Sequence, residues 1–437
     1  MQKMKESGIK WIGEIPETWI ILHLKYVCDL KTGGTPANKI GIEAEGEIPW
    51  ITAQDMIDAN NITNYSQYIT NEAIKKNKYK LFPAGSTLLC CIASVGKNGF
   101  ITKNAYSNQQ ITALIPKKNI FNRYLLYLIN AGKDTIAFDA SSNVVPIVNS
   151  QYLNGFSIML PTLPEQEKIS LFLDSKCAEI DELHIDIQKQ IEILEEYKKS
   201  VITKVVTKGL NPDVEMKDSG VEWIGEIPKA WGISRVKYLF KNGKGLSITK
   251  ENLIDNGLPV ISYGQIHSKR NNGVSINKEL LRFVDFRYQK YYPKCQVYKN
   301  DFIFADTSED YEGCGNCVYK RDDSILFAGY HSIILHSVLQ QDNRYFAYLF
   351  KTDCWRQQLR KVAFGVKVFS ITQKILINSS IIIPSYEEQQ QIANYLDSKC
   401  EEIDLSIAEK KQQLEFLEQY KKSLIYEYVT GKKEVLE

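Results

Sequence analysis

DSKCAEID, beginning at Asp174, and DSKCEEID, beginning at Asp397, differ at one position in eight. Their offset of 223 residues recurs further on, in EEYKKS from Glu195 and EQYKKS from Glu418. Upstream, SGIKWIGEIPETW from Ser7 and SGVEWIGEIPKAW from Ser219 share nine of thirteen positions at an offset of 212. A repeat this long is a duplicated domain with its connector, not a solenoid unit, whose period runs about 20–50 residues. Because the offset grows between the markers, the matching strings bracket a part that was free to change in length.

The octapeptides sit in long heptad patterns. Leu173, Ile180, Ile187, Leu194 and Val201 form one apolar series, widened by Leu183, Ile191, Tyr197 and Val205. The second copy reads Leu396, Ile403, Lys410, Leu417 and Leu424, with Ile407, Leu414, Tyr420 and Tyr428 beside it. This pattern predicts helices from Glu165 to Lys208 and from Glu388 to Thr430, each about 65 Å long at about 1.5 Å per residue. Since one chain supplies both, separated by a globular segment, they are expected to pair antiparallel. Lys410 in the seam leaves open a helix docked separately on each domain.

The 437 residues carry a net charge of only +2, unevenly spread. Lys and Arg exceed Asp and Glu by 4 over residues 20–160 and by 9 over 232–382, whereas residues 163–209 and 385–432 carry −3 and −4. Basic domains on acidic connectors suit a chain that meets a polyanion with the former and protein partners with the latter. In the first domain, ordinary surface variation is an equal reading of so small a surplus. Nine scattered cysteines suit free thiols in a reducing compartment. No apolar run approaches the ~18 residues of a membrane span, and MQKMKESGIK lacks a secretory core, so a cytoplasmic protein without a membrane partner is expected.

Between the repeated strings lie short apolar or β-branched runs punctuated by Gly, Pro and Asn, such as IPWITAQDM, NQQITALIP, LPVISYGQI and NDFIFADTS. NRYLLYLI from Asn122 and NRYFAYLF from Asn343 add a short helix to each domain. The expected class is α+β: two duplicated mixed α/β domains separated by two long helices that pair as an antiparallel coiled coil. The boundaries are 1–160 (repeated segment 7–19), 161–209 (first helix), 210–384 (repeated segment 219–231) and 385–437 (second helix and tail).

The order TGGTP, IPWIT, SVGK, SNQQI, then LPxxxEQ leading into DSK and EID, followed by WIGEIPxxW and a second round, resembles the DNA-specificity subunit of type I restriction-modification systems. The resemblance spans essentially the whole chain. It implies two target recognition domains, each reading half of a bipartite asymmetric site in double-stranded DNA, with the helices setting the spacing. It also implies docking of methyltransferase subunits, two in number, which carry S-adenosylmethionine, and through them of restriction subunits that use ATP and Mg. No catalysis is implied for the chain itself. A coiled-coil scaffold with protein-binding domains is the other reading.

The residues agree on the missing chemistry. There is no G-x-x-x-x-G-K-[ST] loop and no Asn-Pro-Pro-Tyr or Asp-Pro-Pro-Tyr string, and Ser94-Val95-Gly96-Lys97 has too few glycines to cradle a phosphate. Cys314 and Cys317, followed by His331 and His336, match the spacing of a zinc site. However, SILFAGYHSIILHS reads as a strand, not the helix that a finger's histidines need. For DNA contact, the polar loop residues Thr52, Gln54, Asp55, Lys97, Asn108, Gln109 and Gln110 are the candidates in the first domain. Ser262, Tyr263, Gln265, Thr307, Ser308, Tyr330, His331 and Lys367 are their counterparts in the second, with turn capping the competing role for each. Trp11, Trp19, Trp223 and Trp231 are expected to be buried anchors, with stacking on DNA the competing role.

Overall fold

The computed structural model describes residues 3–34, 41–77, 79–140, 145–271, 274–363, 365 and 368–435. They form two compact units, Met1–Gln188 with Gln412–Glu437, and Lys189–Lys411. The first unit thus closes on the end of the chain.

In the first unit an antiparallel four-stranded sheet runs in the order Cys28–Thr32, Ile111–Pro116, Thr87–Cys90, Asn98–Phe100. The second unit repeats it as Phe240–Lys244, Ser332–Ser337, Phe302–Ala305, Cys317–Tyr319. Beside each sheet lies a short parallel pair, Tyr106–Ser107 on Trp50–Ile51 and Phe327–Ala328 on Leu258–Ile261. The helix expected at Asn122 extends to Ala140, whereas its counterpart breaks into Asn343–Lys351 and Asp353–Arg360. Thr352 causes the break, since its extended backbone and its hydroxyl, which accepts the Trp355 N–H, cap a new helix where the first unit has Ala131 and Gly132.

The long helices span Leu163–Lys208 and Tyr386–Val429, two residues earlier at each start than the heptads suggest. Their N-termini explain this. Thr162 and Ser385 each donate a hydroxyl hydrogen bond of 2.7 Å to Glu165 and Glu388, so helical turns begin ahead of the acidic residue.

Each unit holds an antiparallel helix pair. In the first, Lys421 reaches Asp181 at 2.6 Å; in the second, Lys198 reaches Asp404 at 2.6 Å. These are the EID and YKKS strings pairing with one another, copy to copy. Leu173, Ile180, Ile187, Leu396, Ile403 and Leu424 are buried, and Leu194, Val201 and Leu417 half-buried. Lys410 is accommodated by donating to Gln190. Leu183, Tyr197 and Tyr420 do not widen the stripe as expected; they are about half exposed. From Leu173 the covered positions advance by four and then three residues through Cys177, Ile180 and Ile191, which leaves Leu183 and Tyr197 on the outer face.

One joint fastens each globular domain to its helix. Asp174 accepts from Arg123 Nε at 2.9 Å and Tyr127 Oη at 2.7 Å, while Asp397 accepts from Arg344 at 3.1 Å, Tyr348 Oη at 2.8 Å and Arg321 at 2.7 Å. Trp19 and Trp231, both buried, donate to Glu165 and Glu388. Finally, the buried Tyr124 hydroxyl donates to the Val429 carbonyl and Tyr345 to that of Val206, so the end of a long helix closes each core.

Burial raises the pKa of Asp397, but hydrogen bonds from Arg321 and Tyr348 and the charges of Arg321 and Arg344 outweigh it and hold the carboxyl below its ordinary value. Its stabilisation is therefore full above the unfolded value of about 3.9 and is lost as pH falls through the folded one. Asp397→Asn should cost about 1.5–3 kcal/mol at pH 7, the range for hydrogen bonds to charged groups. In urea titrations across pH, the gap between variant and parent should begin to narrow below about pH 4 and close as pH falls through the lowered folded value.

Candidate nucleic-acid interface

Most of the polar loop residues gather at the ends of the parallel strand pairs. In the first unit, Thr52 follows Trp50–Ile51 and opens a turn closed by Asp55, whose carboxylate accepts from the Thr52 N–H and hydroxyl, both at 2.7 Å, and from Ser66 N–H at 2.9 Å. These hydrogen bonds lower the Asp55 pKa against the raising effect of its burial. Lys97 donates to the Ala53 carbonyl at 2.6 Å, which brings the SVGK turn alongside. Ser107, at the end of the partner strand, donates to the Ile51 carbonyl at 2.7 Å, and Asn108 caps its own turn by accepting the Gln110 N–H at 2.9 Å. Gln54 and Gln109 are exposed.

In the second unit Ser262 follows Leu258–Ile261 and is capped by Gln265, whose side chain accepts the Ser262 N–H at 3.0 Å. The Tyr263 ring stands edge-on to Tyr330 at 5.2 Å and to His331 at 5.6 Å. Thr307 and His331 share Asp306, at 2.8 and 2.9 Å, and His331 has a positive φ of 54°. Ser308 is buried and its hydroxyl accepts from the Asp310 N–H. Lys367 lies outside the described residues. Capping is thus the observed role of Asp55, Asn108 and Gln265, and turn geometry that of Gly33. A Cβ there would lie 2.2 Å from the Asn108 carbonyl oxygen, so only glycine lets the two loops touch.

Two parts of this site had no signal in the sequence. Asp306 organises Thr307 and His331, although FIFAD reads only as a strand end. Tyr263 faces Tyr330 across 67 residues of sequence, a pairing that no local pattern announces. The two histidines with zinc spacing find other partners: His331 Nδ1 meets Asp306 at 2.9 Å and His336 Nδ1 meets Asp301 at 2.7 Å. Cys314 and Cys317 are buried, which pushes the Cys317 thiol up to about 12. Among the described residues no cluster of three or more His, Cys, Asp or Glu is arranged to hold a metal. Nor, among them, is any helix long and apolar enough to cross a membrane. Trp11 is half-buried and stacks on Phe156, and Trp223 is half-buried as well.

The model of the type I restriction modification DNA specificity domain matches residues 16–193 and again 228–416. The chain belongs to this family. Over 99% of its length it is 25% identical to the MjaVIII specificity subunit of Methanocaldococcus jannaschii, covering 97% of that protein. Over 51% of its length it is 28% identical to the EcoR124I/EcoR124II specificity subunit of Escherichia coli, covering 48% of it. A chain solved for the assembly and conformational transition of the type I R-M system shares the fold with a TM-score of 0.71, at 14% identity, over 96% of this chain and 99% of that one. The HsdS subunit of Thermoanaerobacter tengcongensis gives a TM-score of 0.51, at 15% identity, over 96% and 98%. The specificity subunit therefore carries two target recognition domains, one in each unit.

The split between capping and free side chains makes a prediction. Asp55→Ala should lower the melting free energy by about 1 kcal/mol through loss of its cap. Gln54→Ala and Gln109→Ala should stay within about 0.5 kcal/mol of the parent in the same thermal melts.

Proposed function

We propose that each target recognition domain reads one half of a bipartite, asymmetric duplex site, and that the paired helices set the spacing between halves. The supporting observation is a shared frame with different side chains. The same parallel strand pair ends in a Thr52–Asp55 turn beside Asn108, Gln109 and Gln110 in one unit, and in a Ser262–Gln265 turn beside Tyr330 and His331 in the other. Base edges are distinguished by the donors and acceptors offered to them, whereas the frame only positions the protein. The exposed amides of Gln54 and Gln109 offer the bidentate geometry that suits adenine, while Asn108 and Gln110 hold the turn that carries Gln109. Lys97, with two ammonium donors left beside its bond to Ala53, is suited to phosphate, while Thr52 holds the turn with Asp55. In the second domain Ser262, Tyr263, Thr307, Tyr330 and His331 take these parts; Asp55, Gln265 and Ser308 hold the turns.

The chain acts without catalysis of its own and depends on methyltransferase subunits for chemistry. The outward side chains of the helices are suited to dock them. Ile193 and Tyr197 form an exposed i, i+4 pair in the second unit, and Phe416 and Tyr420, exactly one repeat of 223 residues further on, form one in the first. A matched pair in each unit suits two copies of one partner. Restriction subunits would join through these.

Exchange of residues 20–160 for the equivalent segment of a relative tests half-site reading. In a host that also makes the cognate methyltransferase, methylome sequencing should show one half of the site changed and the other retained. A change in both halves would refute independent readers.

A second test addresses docking. Ile193→Ser with Tyr197→Ser should leave a complex carrying one methyltransferase by native mass spectrometry, and the four-residue variant that adds Phe416→Ser and Tyr420→Ser should carry none. Two bound copies in the four-residue variant would place docking elsewhere.

A further inference from the structure

A cavity of about 420 Å³ in the second unit is lined on one side by Lys351, Arg356 and Arg360. Lys351 ends the helix Asn343–Lys351, and the next helix opens onto the same space at Thr352 and Asp353. The ammonium of Lys351 has no hydrogen-bond or ion-pair partner among the described residues; Asp404, whose charge it feels, is taken by Lys198 at 2.6 Å. Arg360 is nine-tenths buried; its Nη2 donates to the Glu312 carbonyl and to Asp353, but its Nε has no acceptor. Arg356 directs Nε to the Cys314 carbonyl and Nη2 to that of Glu312, neither of which carries a net charge.

The acids around the cavity do not balance its cations: Lys199 and Lys269 line it as well, so five cationic side chains stand against three carboxylates, Asp310, Glu312 and Asp353. Asp353 serves Arg360, and Asp310 accepts the Gly313 N–H. Burial, and then repulsion from Lys198, pushes the Lys351 ammonium down to about 8, and burial with repulsion from Arg360 lowers Arg356. A buried cation without a partner is costly, and the carbonyl end of the Asn343–Lys351 helix offers partial charge but no anion. His267, also on the wall, has both ring nitrogens engaged within the protein: one meets the Thr307 carbonyl at 2.8 Å and the other the Asn316 amide at 2.9 Å.

The duplication supplies the comparison. By the repeat, Lys351 stands where the first unit has Asn130, and there the position is buried with its amide directed to Asn98 Oδ1 at 3.4 Å within an unbroken helix. Both changes, the lysine and the break at Thr352, belong to the second unit alone, and together they make the cationic wall.

We propose that this cavity takes a phosphate group, with Lys351 as its ion-pair partner and Arg356 and Arg360 completing the wall. Guanidinium and ammonium donors together match the several acceptor oxygens of a phosphate, and the cavity has room for one with its ester substituents. The phosphate comes either from the DNA backbone or from a free phosphate compound. The site stands whether or not the half-site reading holds, since it rests on charges that the loops do not supply.

The full chain tests this, with Lys351→Asn as the variant because the equivalent position already accommodates asparagine. Inorganic phosphate is titrated calorimetrically against the parent and the variant at constant ionic strength, and a 30-base-pair duplex is titrated by anisotropy. Weakening of phosphate binding by tenfold or more, with duplex affinity unchanged, assigns a free phosphate compound. Weakening of duplex binding by tenfold or more, with inorganic phosphate competing against the duplex on the parent only, assigns a backbone phosphate. A third measurement needs no variant: trace acetylation of the parent, read by peptide mass spectrometry, should slow at Lys351 several-fold when phosphate or the duplex is present. Unchanged binding of both ligands in a folded variant, with Lys351 acetylated at the same rate throughout, would overturn the proposal.

Discussion

The structure depends on a carboxylate near the start of each long helix. Asp174 and Asp397 sit where a domain must be fixed rigidly to a helix, and each collects an arginine and a tyrosine from the short helix packed against it. Such a joint is directional as well as strong. Arginine donors fix the angle of approach, and the tyrosine hydroxyl fixes the depth, so the helix cannot roll without breaking charge-assisted hydrogen bonds. Removing one member leaves the others partly buried and unpaired, which costs more than the intact cluster contributes relative to an apolar substitute.

From this joint the meaning of the repeated strings follows. DSK supplies the acceptor, WIGEIPxxW supplies an indole that caps Glu165 or Glu388, and EID meets YKKS across the helix pair. Ion pairs such as Lys421–Asp181 contribute little individually at a partly exposed seam, so their part is to select antiparallel register. The buried and paired positions of the strings that recur are scaffold. The loops between them, free of these duties, differ between units in length and side chain.

The duplication, the long helices and the two β-rich domains were legible because each is written as a period or as a repeated word. Tyr197 and Tyr420 show where periodicity runs out. A heptad stripe one residue too wide looks the same in sequence, and only the partner helix decides which edge is covered. The candidate site was legible as a set of polar loop residues, but not by role. Asp55 and Gln265 resemble readers of bases and in fact close turns, because a side chain three positions past a Thr or Ser can satisfy the local backbone before it reaches for any ligand. The pairing of Tyr263 with Tyr330 and the anchoring of His331 by Asp306 depend on contacts distant in sequence, which carry no local mark.

If two half-readers are held apart by paired helices, the length of the pair is the quantity on which recognition turns. It is tested by deleting one heptad from both strands of the pair at once, Ile180–Asp186 with Phe416–Lys422, which keeps the remaining residues in register and shortens the pair by about 10 Å. Binding is then measured against a duplex library in which the spacer between fixed half-sites varies one base pair at a time. The account predicts that the preferred spacer falls by about three base pairs, at about 3.4 Å each. An unchanged spacer preference, with circular dichroism showing the helices retained, would contradict it.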